Sequence, residues 1–214
     1  VHLGPLIAVL AYFRDELLGL ARGLVARERQ SQRLTFYLII GTIPAVIFGI
    51  GAKSYLEGLF GNPAATAFQL LINGLILIIA DYLTGERNLE QLGTRDAWWI
   101  GIGQAIAIIP GISRSGATIA AGLWRKLSRP AAARYSFLLS IPAILGAGLL
   151  DSPNLVNGGY QQIGAAAFWT GFISSALAGY LVIKFFLAYL QHGTLKLFGY
   201  YCLAFGGMAL IWFS

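Results

Sequence analysis

The chain has 214 residues, of which 57% are hydrophobic and only 11% charged, against about 25% charged in a soluble domain. That composition excludes a soluble globular fold, a lone cysteine (Cys202) excludes an internal disulfide framework, and two separated histidines (His2, His192) offer no His-rich metal set. The net charge of +6 does not point to nucleic acid, because the fifteen Lys and Arg residues stand in short runs between apolar stretches rather than along one face.

In chain order, the first apolar run, residues 1–13, is short for a span and has neither a charged flank nor a small-residue cleavage site. It does not read as a signal peptide, and the natural protein is expected to be longer at its N-terminus. Runs long enough to cross the hydrocarbon core follow at 34–52, 64–83, 131–150, 163–187 and 195–213. With the first run they predict six spanning helices, the charged residues falling in or beside loops. Thr42-Ile43-Pro44-Ala45 and Ser140-Ile141-Pro142-Ala143 read as two independent proline kinks.

The apolar region 97–124 differs from the rest because Pro110-Gly111 interrupts it. Each piece, of ten to fourteen residues, is only about 15–21 Å long as a helix, too short to cross about 30 Å alone. If the region re-enters on one side, thirteen Lys and Arg face that side against Lys53 alone, with Arg114 inside the segment; if it crosses, the count is seven against seven. The positive-inside rule therefore predicts a re-entrant helical hairpin, with Trp98, Trp99 and Trp124 at one interface. The expected fold is an all-α polytopic membrane protein forming one integral membrane domain, 1–214, with six transmembrane helices plus that hairpin. Residues 1–83 supply three helices of a first repeat and 96–214 the hairpin and three helices of a second, inverted repeat. The hairpin of the first repeat is expected upstream of Val1.

Within the hairpin, Pro110-Gly111-Ile112-Ser113-Arg114-Ser115-Gly116-Ala117-Thr118 places an arginine, three hydroxyls and two glycines at membrane depth. An ionisable residue there marks a functional site, and irregular backbone is tolerated only beside protein or a wet cavity. Ser113 or Ser115 can cap the following half-helix, whose N-terminal N–H groups, the guanidinium fork and the hydroxyls together suit a phosphate. The competing reading, a structural Arg114 neutralised by a carboxylate, finds no acidic residue at depth; only Asp81 approaches a span, near its inner end. Gln104, two turns before Pro110, can face the site or bond a neighbouring carbonyl. Asn73 beside Gly74 reads as a close helix contact, Tyr135, Ser136 and Ser140 as packing on one helix, Lys184 as snorkelling and His192 as solvated.

Gly103-Gln104, Ala107, the string from Pro110 to Thr118, Tyr135-Ser136-Phe137-Leu138-Leu139-Ser140-Ile141-Pro142 and the opening His2-Leu3-Gly4 resemble the bacterial undecaprenyl-diphosphatase family associated with bacitracin resistance. The resemblance spans the whole chain and implies six spanning helices with two re-entrant hairpins. It implies hydrolysis of undecaprenyl diphosphate, a polyprenyl diphosphate lipid, to the monophosphate in the bacterial inner membrane, recycling the lipid carrier of cell-wall synthesis. It also implies a divalent cation, Mg or Ca. Carried over, Arg114 is the catalytic residue that holds the diphosphate, and Gln104, Gly111, Ser113, Ser115, Gly116 and Thr118 are the substrate-binding residues around it. The family's first signature, with paired glutamates, serines and a histidine, is not found, so no metal ligand is assigned in this chain. The ligands are expected upstream of Val1, and the 214-residue polypeptide alone is expected to be inactive. Partners are the lipid substrate and the bilayer, with no nucleic acid, and a homodimer stays open. Two other readings remain: a transporter or flippase of a phosphate-bearing polyprenyl lipid or anion, and a catalytically dead binding paralogue.

Overall fold

A computed structural model describes residues 3–51, 63–83, 85–156 and 164–213. The helices are α1 (Leu3–Tyr12), α2 (Arg14–Val25), α3 (Arg29–Gly51), α4 (Pro63–Tyr82), α5 (Thr94–Ile106), α6 (Arg114–Trp124), α7 (Arg129–Val156), α8 (Ala165–Tyr189) and α9 (Lys196–Phe213), with a 3-10 turn at Leu89–Gln91 before α5. Among the described residues no strand forms; Arg87 and Leu127 make one isolated bridge.

Among the described residues, five stretches are long and apolar enough to span a bilayer: Arg29–Gly51, Pro63–Tyr82, Arg129–Gly148, Ala167–Tyr189 and Lys196–Phe213. The sixth expected span is not of that kind among the described residues, because α1 has ten residues and is about 15 Å long. It packs on α8 and α7, with Phe13 buried against Phe137 and Tyr12 edge-on to Tyr180. The loop expected after it is also corrected, for α2 is amphipathic: Leu17 packs on the core while Arg14 and Asp15 stay in solvent. It closes with Arg27 in the left-handed region (φ 57°) and a Glu28 N–H to Gly23 carbonyl bond of 2.8 Å, a helix-ending motif usually built on glycine.

Ion pairs gather the charged helix ends at one end of the molecule. The buried Asp81 of α4 accepts from Arg129 Nε of α7 at 2.8 Å and from the Leu195 N–H before α9 at 2.9 Å. Arg134 of α7 reaches Glu16 of α2 at 2.9 Å, and Lys196 Nζ lies 3.8 Å from the Tyr82 ring centre. Asp96, in the first turn of α5 and 3% exposed, accepts from Arg87 Nη2 at 2.7 Å, Arg125 Nε at 2.8 Å and the Gly93 N–H at 3.0 Å. Burial alone would raise the Asp96 carboxyl, but these three donors outweigh it and hold it below the usual carboxylate range. Lys53, the lone basic residue assigned to the opposite side, lies outside the described residues, as do His2 and Glu57.

Asp96 and Arg125 also join the start of α5 to the end of α6, so region 97–124 doubles back on itself. The exposed Trp99 and Trp124 lie at that shared end with ring centres 6.4 Å apart. Small residues let the hairpin sink into the bundle: a methyl group at Gly103 would lie 2.9 Å from the Ala117 carbonyl oxygen of α6, and one at Gly101 would lie 2.5 Å from the Gly41 carbonyl oxygen of α3. The hairpin is thus held between α3, α4 and α7.

Candidate active site

The chain reverses at the hairpin tip through Ile109-Pro110-Gly111-Ile112. Gly111 takes φ +86° and the Ile112 N–H bonds the Ile109 carbonyl at 3.2 Å, as in a type II turn, where proline favours the second position and glycine the third. A side chain at Gly111 would meet the Thr66 carbonyl oxygen of α4 at 2.5 Å, so the tip lies directly on that helix.

Ser113 then caps α6. Its backbone is extended (φ −71°, ψ 121°), its Oγ accepts from the Gly116 N–H at 3.2 Å, and its carbonyl accepts the first intrahelical bond from the Ala117 N–H at 2.8 Å. Ser115 Oγ lies 3.4 Å from Ser113 Oγ. The N–H groups of Arg114 and Ser115 precede the helix's own bonding pattern and find no backbone acceptor among the described residues. The Arg114 side chain lines a cavity of about 510 Å³ between α3, α5 and α7, walled chiefly by Ala45, Val46, Ile108 and Ala143. No carboxylate among the described residues lies within ion-pair distance of its guanidinium.

The expected residues fall into two groups. Ser113, Arg114, Ser115 and Gly116 share the first turn of α6 and its cap, with Gly111 in the turn before them. Thr118 is buried, its hydroxyl 2.8 Å from the Arg114 carbonyl and 2.6 Å from Ser136 Oγ of α7, a contact that clamps α6 to α7. Gln104, 2% exposed, borders the Arg114 cavity; its Nε2 reaches the Gly41 carbonyl at 3.5 Å and its Oε1 has no partner among the described residues. Among the other polar residues, Tyr135 donates to the Tyr37 carbonyl at 2.6 Å and Ser140 to the Phe137 carbonyl at 2.6 Å.

Sequence reasoning missed two contributions from α4. Asn73, 1% exposed, accepts the Ser113 N–H at 3.2 Å and donates to Cys202 Sγ at 3.5 Å. Gln69 meets the turn, with its Oε1 buried beside Gly111 and without a partner among the described residues. The available signal was an amide side chain in an otherwise apolar span, which calls for a partner in protein. The close helix contact expected at Asn73-Gly74 is also present, for a methyl group on Gly74 would lie 2.8 Å from the Gly199 carbonyl oxygen of α9.

The chain matches the family described as "Bacitracin resistance protein BacA" over residues 1–208. It belongs to that family. Proteins named undecaprenyl-diphosphatase are among its relatives. Those of Carboxydothermus hydrogenoformans and Halothermothrix orenii are 41% and 38% identical to it, each alignment covering 99% of this chain and 80% of the relative. That of Thermomicrobium roseum is 40% identical over 99% of this chain and 81% of its own length. With its long apolar helices, this BacA-family chain is an all-helical, multi-pass membrane protein.

Among the described residues there is no group of three or more His, Cys, Asp or Glu side chains that could hold a metal ion. The divalent cation implied by the resemblance therefore has no such ligand set among them.

Proposed function

We propose that the protein hydrolyses undecaprenyl diphosphate to undecaprenyl phosphate and inorganic phosphate in the bacterial inner membrane, returning the lipid carrier to cell-wall synthesis and conferring bacitracin resistance. The carrying observation is Arg114: a guanidinium with no carboxylate partner among the described residues, at the start of a serine-capped helix, facing an apolar cavity. The names of the relatives specify the lipid. In this reading region 97–124 is a re-entrant hairpin within a six-span, inverted-repeat fold, entering and leaving at the basic end. The diphosphate sits at the N-terminus of α6, its oxygens taken bidentately by Arg114 and by the N–H groups of Arg114 and Ser115, with the Ser113 and Ser115 hydroxyls beside them. Water attacks the terminal phosphorus, the bridging P–O bond breaks with undecaprenyl phosphate as the leaving group, the attacking water's proton passes to solvent, and the negative charge gathering on phosphate oxygens is met by the guanidinium and the helix dipole. The isoprenoid chain leaves along the apolar cavity.

The test uses the protein expressed from its natural coding region and purified in detergent, where no compartment exists. Phosphate release from a polyprenyl diphosphate is expected, and Arg114→Ala is expected to lower it by roughly 10²–10³-fold with thermal stability unchanged, the scale of losing one principal donor to a developing oxyanion. No phosphate release from the unsubstituted protein, with transfer of the lipid across a reconstituted bilayer, would replace hydrolysis by transport.

A further inference from the structure

In an ordinary capping box the N-cap side chain takes the N–H of the third helical residue, and that residue's side chain returns to take the N–H of the N-cap. Here the first half is present, Ser113 Oγ to the Gly116 N–H at 3.2 Å, but the third residue is glycine and has no side chain to return. The returning acceptor comes instead from another helix: Asn73 Oδ1 of α4 takes the Ser113 N–H at 3.2 Å. The glycine makes this approach feasible, since a methyl group at Gly116 would lie 3.3 Å from that same oxygen and 3.1 Å from Ser113 Cβ. The amide is oriented from its other side, where Nδ2 donates to Cys202 Sγ of α9, leaving Oδ1 toward Ser113. α4 and α9 are themselves tightly joined, with Gly74 and Gly199 each against the other's carbonyl.

Resting on the hydrolytic reading above, we propose that Asn73 is a positioning residue for the reaction. It completes the α6 cap from α4, fixes the backbone of Ser113, and so sets the direction in which the first N–H groups of α6 and the Arg114 side chain meet the diphosphate. Asn73 touches no reacting atom. A packing role alone would be met equally well by an apolar side chain of the same volume, which in hydrocarbon surroundings would also avoid burying an amide.

The test compares Asn73→Leu, which keeps the volume and loses the acceptor, with Asn73→Asp, which keeps an oxygen in the same place. The protein is again the one expressed from its natural coding region, assayed for phosphate release. Asn73→Leu is expected to lower kcat by at least about tenfold, as displaced positioning groups do, with KM moved less than about threefold because the isoprenoid chain dominates ground-state binding. Asn73→Asp is expected to retain more of kcat than Asn73→Leu. The rate of N-ethylmaleimide labelling of the buried Cys202, which Asn73 contacts, reports whether α4 and α9 stay packed and is expected to stay within about twofold of the parental value in Asn73→Leu. Parental kcat in Asn73→Leu, Asn73→Asp no better than Asn73→Leu, or a loss that tracks faster Cys202 labelling would each overturn the inference alone. Absence of phosphate release from the unsubstituted protein would overturn the hydrolytic reading and this inference with it.

Discussion

One carboxylate ties the two ends of the hairpin together, and replacing Asp96 by Asn tests that arrangement directly. Asp96 receives two charge-assisted hydrogen bonds, from Arg87 at 2.7 Å and Arg125 at 2.8 Å, and a backbone one from Gly93 at 3.0 Å. A hydrogen bond to a charged group contributes about 1.5–3 kcal/mol. The two arginine side chains are 35% and 36% exposed, so solvent screens part of this, and the asparagine oxygen still accepts one of the three donors. The expected loss is therefore about 2–3 kcal/mol, below the range for breaking a wholly buried pair. For a chain of this length that corresponds to a fall in Tm of roughly 5–10 °C, read by thermal unfolding in detergent through the fluorescence of Trp98, Trp99 and Trp124 at the stapled end. The pH dependence has a definite sign. Because the folded Asp96 titrates below its unfolded value, its contribution is complete above about pH 4 and is lost as pH falls through the lower folded value. The gap in Tm between parent and Asp96→Asn should be constant from pH 7 to pH 5 and close only in stronger acid. A variant melting within about 1 °C of the parent at pH 7, or a gap closing between pH 7 and pH 5, would refute the reasoning.

Three further substitutions probe the supports of the site. Gly111→Ala forces a side chain into the left-handed region and against the Thr66 carbonyl, so it should cost about 1–2 kcal/mol in backbone strain alone and lower phosphate release as the tip lifts from α4. Thr118→Val removes a buried hydroxyl and leaves Ser136 Oγ without its 2.6 Å partner; a loss of about 1–3 kcal/mol in thermal unfolding is expected, with Thr118→Ser close to the parent. Gly199→Val places a side chain 2.5 Å from Ile78 and 2.9 Å from the Gly74 carbonyl, so α9 must move from α4, and Cys202 should label with N-ethylmaleimide faster than in the parent.

Membrane character, the long spans and the broken segment were legible because each depends on local composition. An apolar run of about 20 residues or a Pro-Gly pair at the end of a helix carries the same meaning wherever it occurs. The Ser113 cap was legible for the same reason, since its partner lies three residues away. The amphipathic α2 was missed because four charges among its twelve residues, Arg14, Asp15, Glu16 and Arg22, make it too polar for a span, although Leu17, Leu20, Ala21 and Leu24 recur at helical spacing. Asp96 was expected beside a loop and Asp81 near the inner end of a span, where both lie, yet the donors they collect come from segments as much as 114 residues distant.

The sequence by itself determined that this chain lives in a bilayer and carries an arginine among hydroxyls at a helix start. It also determined which family it resembles, for burial preference, helix periodicity and motif chemistry are properties of neighbours along the chain. Only the tertiary structure decided how that helix start is aimed. The orphan N–H of Ser113 is met by Asn73, forty residues earlier in the chain, because close contacts between small residues hold α4 and α9 together and α4 lies against the hairpin tip. Such a bond depends on how closely separate helices approach, and residue order alone does not fix that distance.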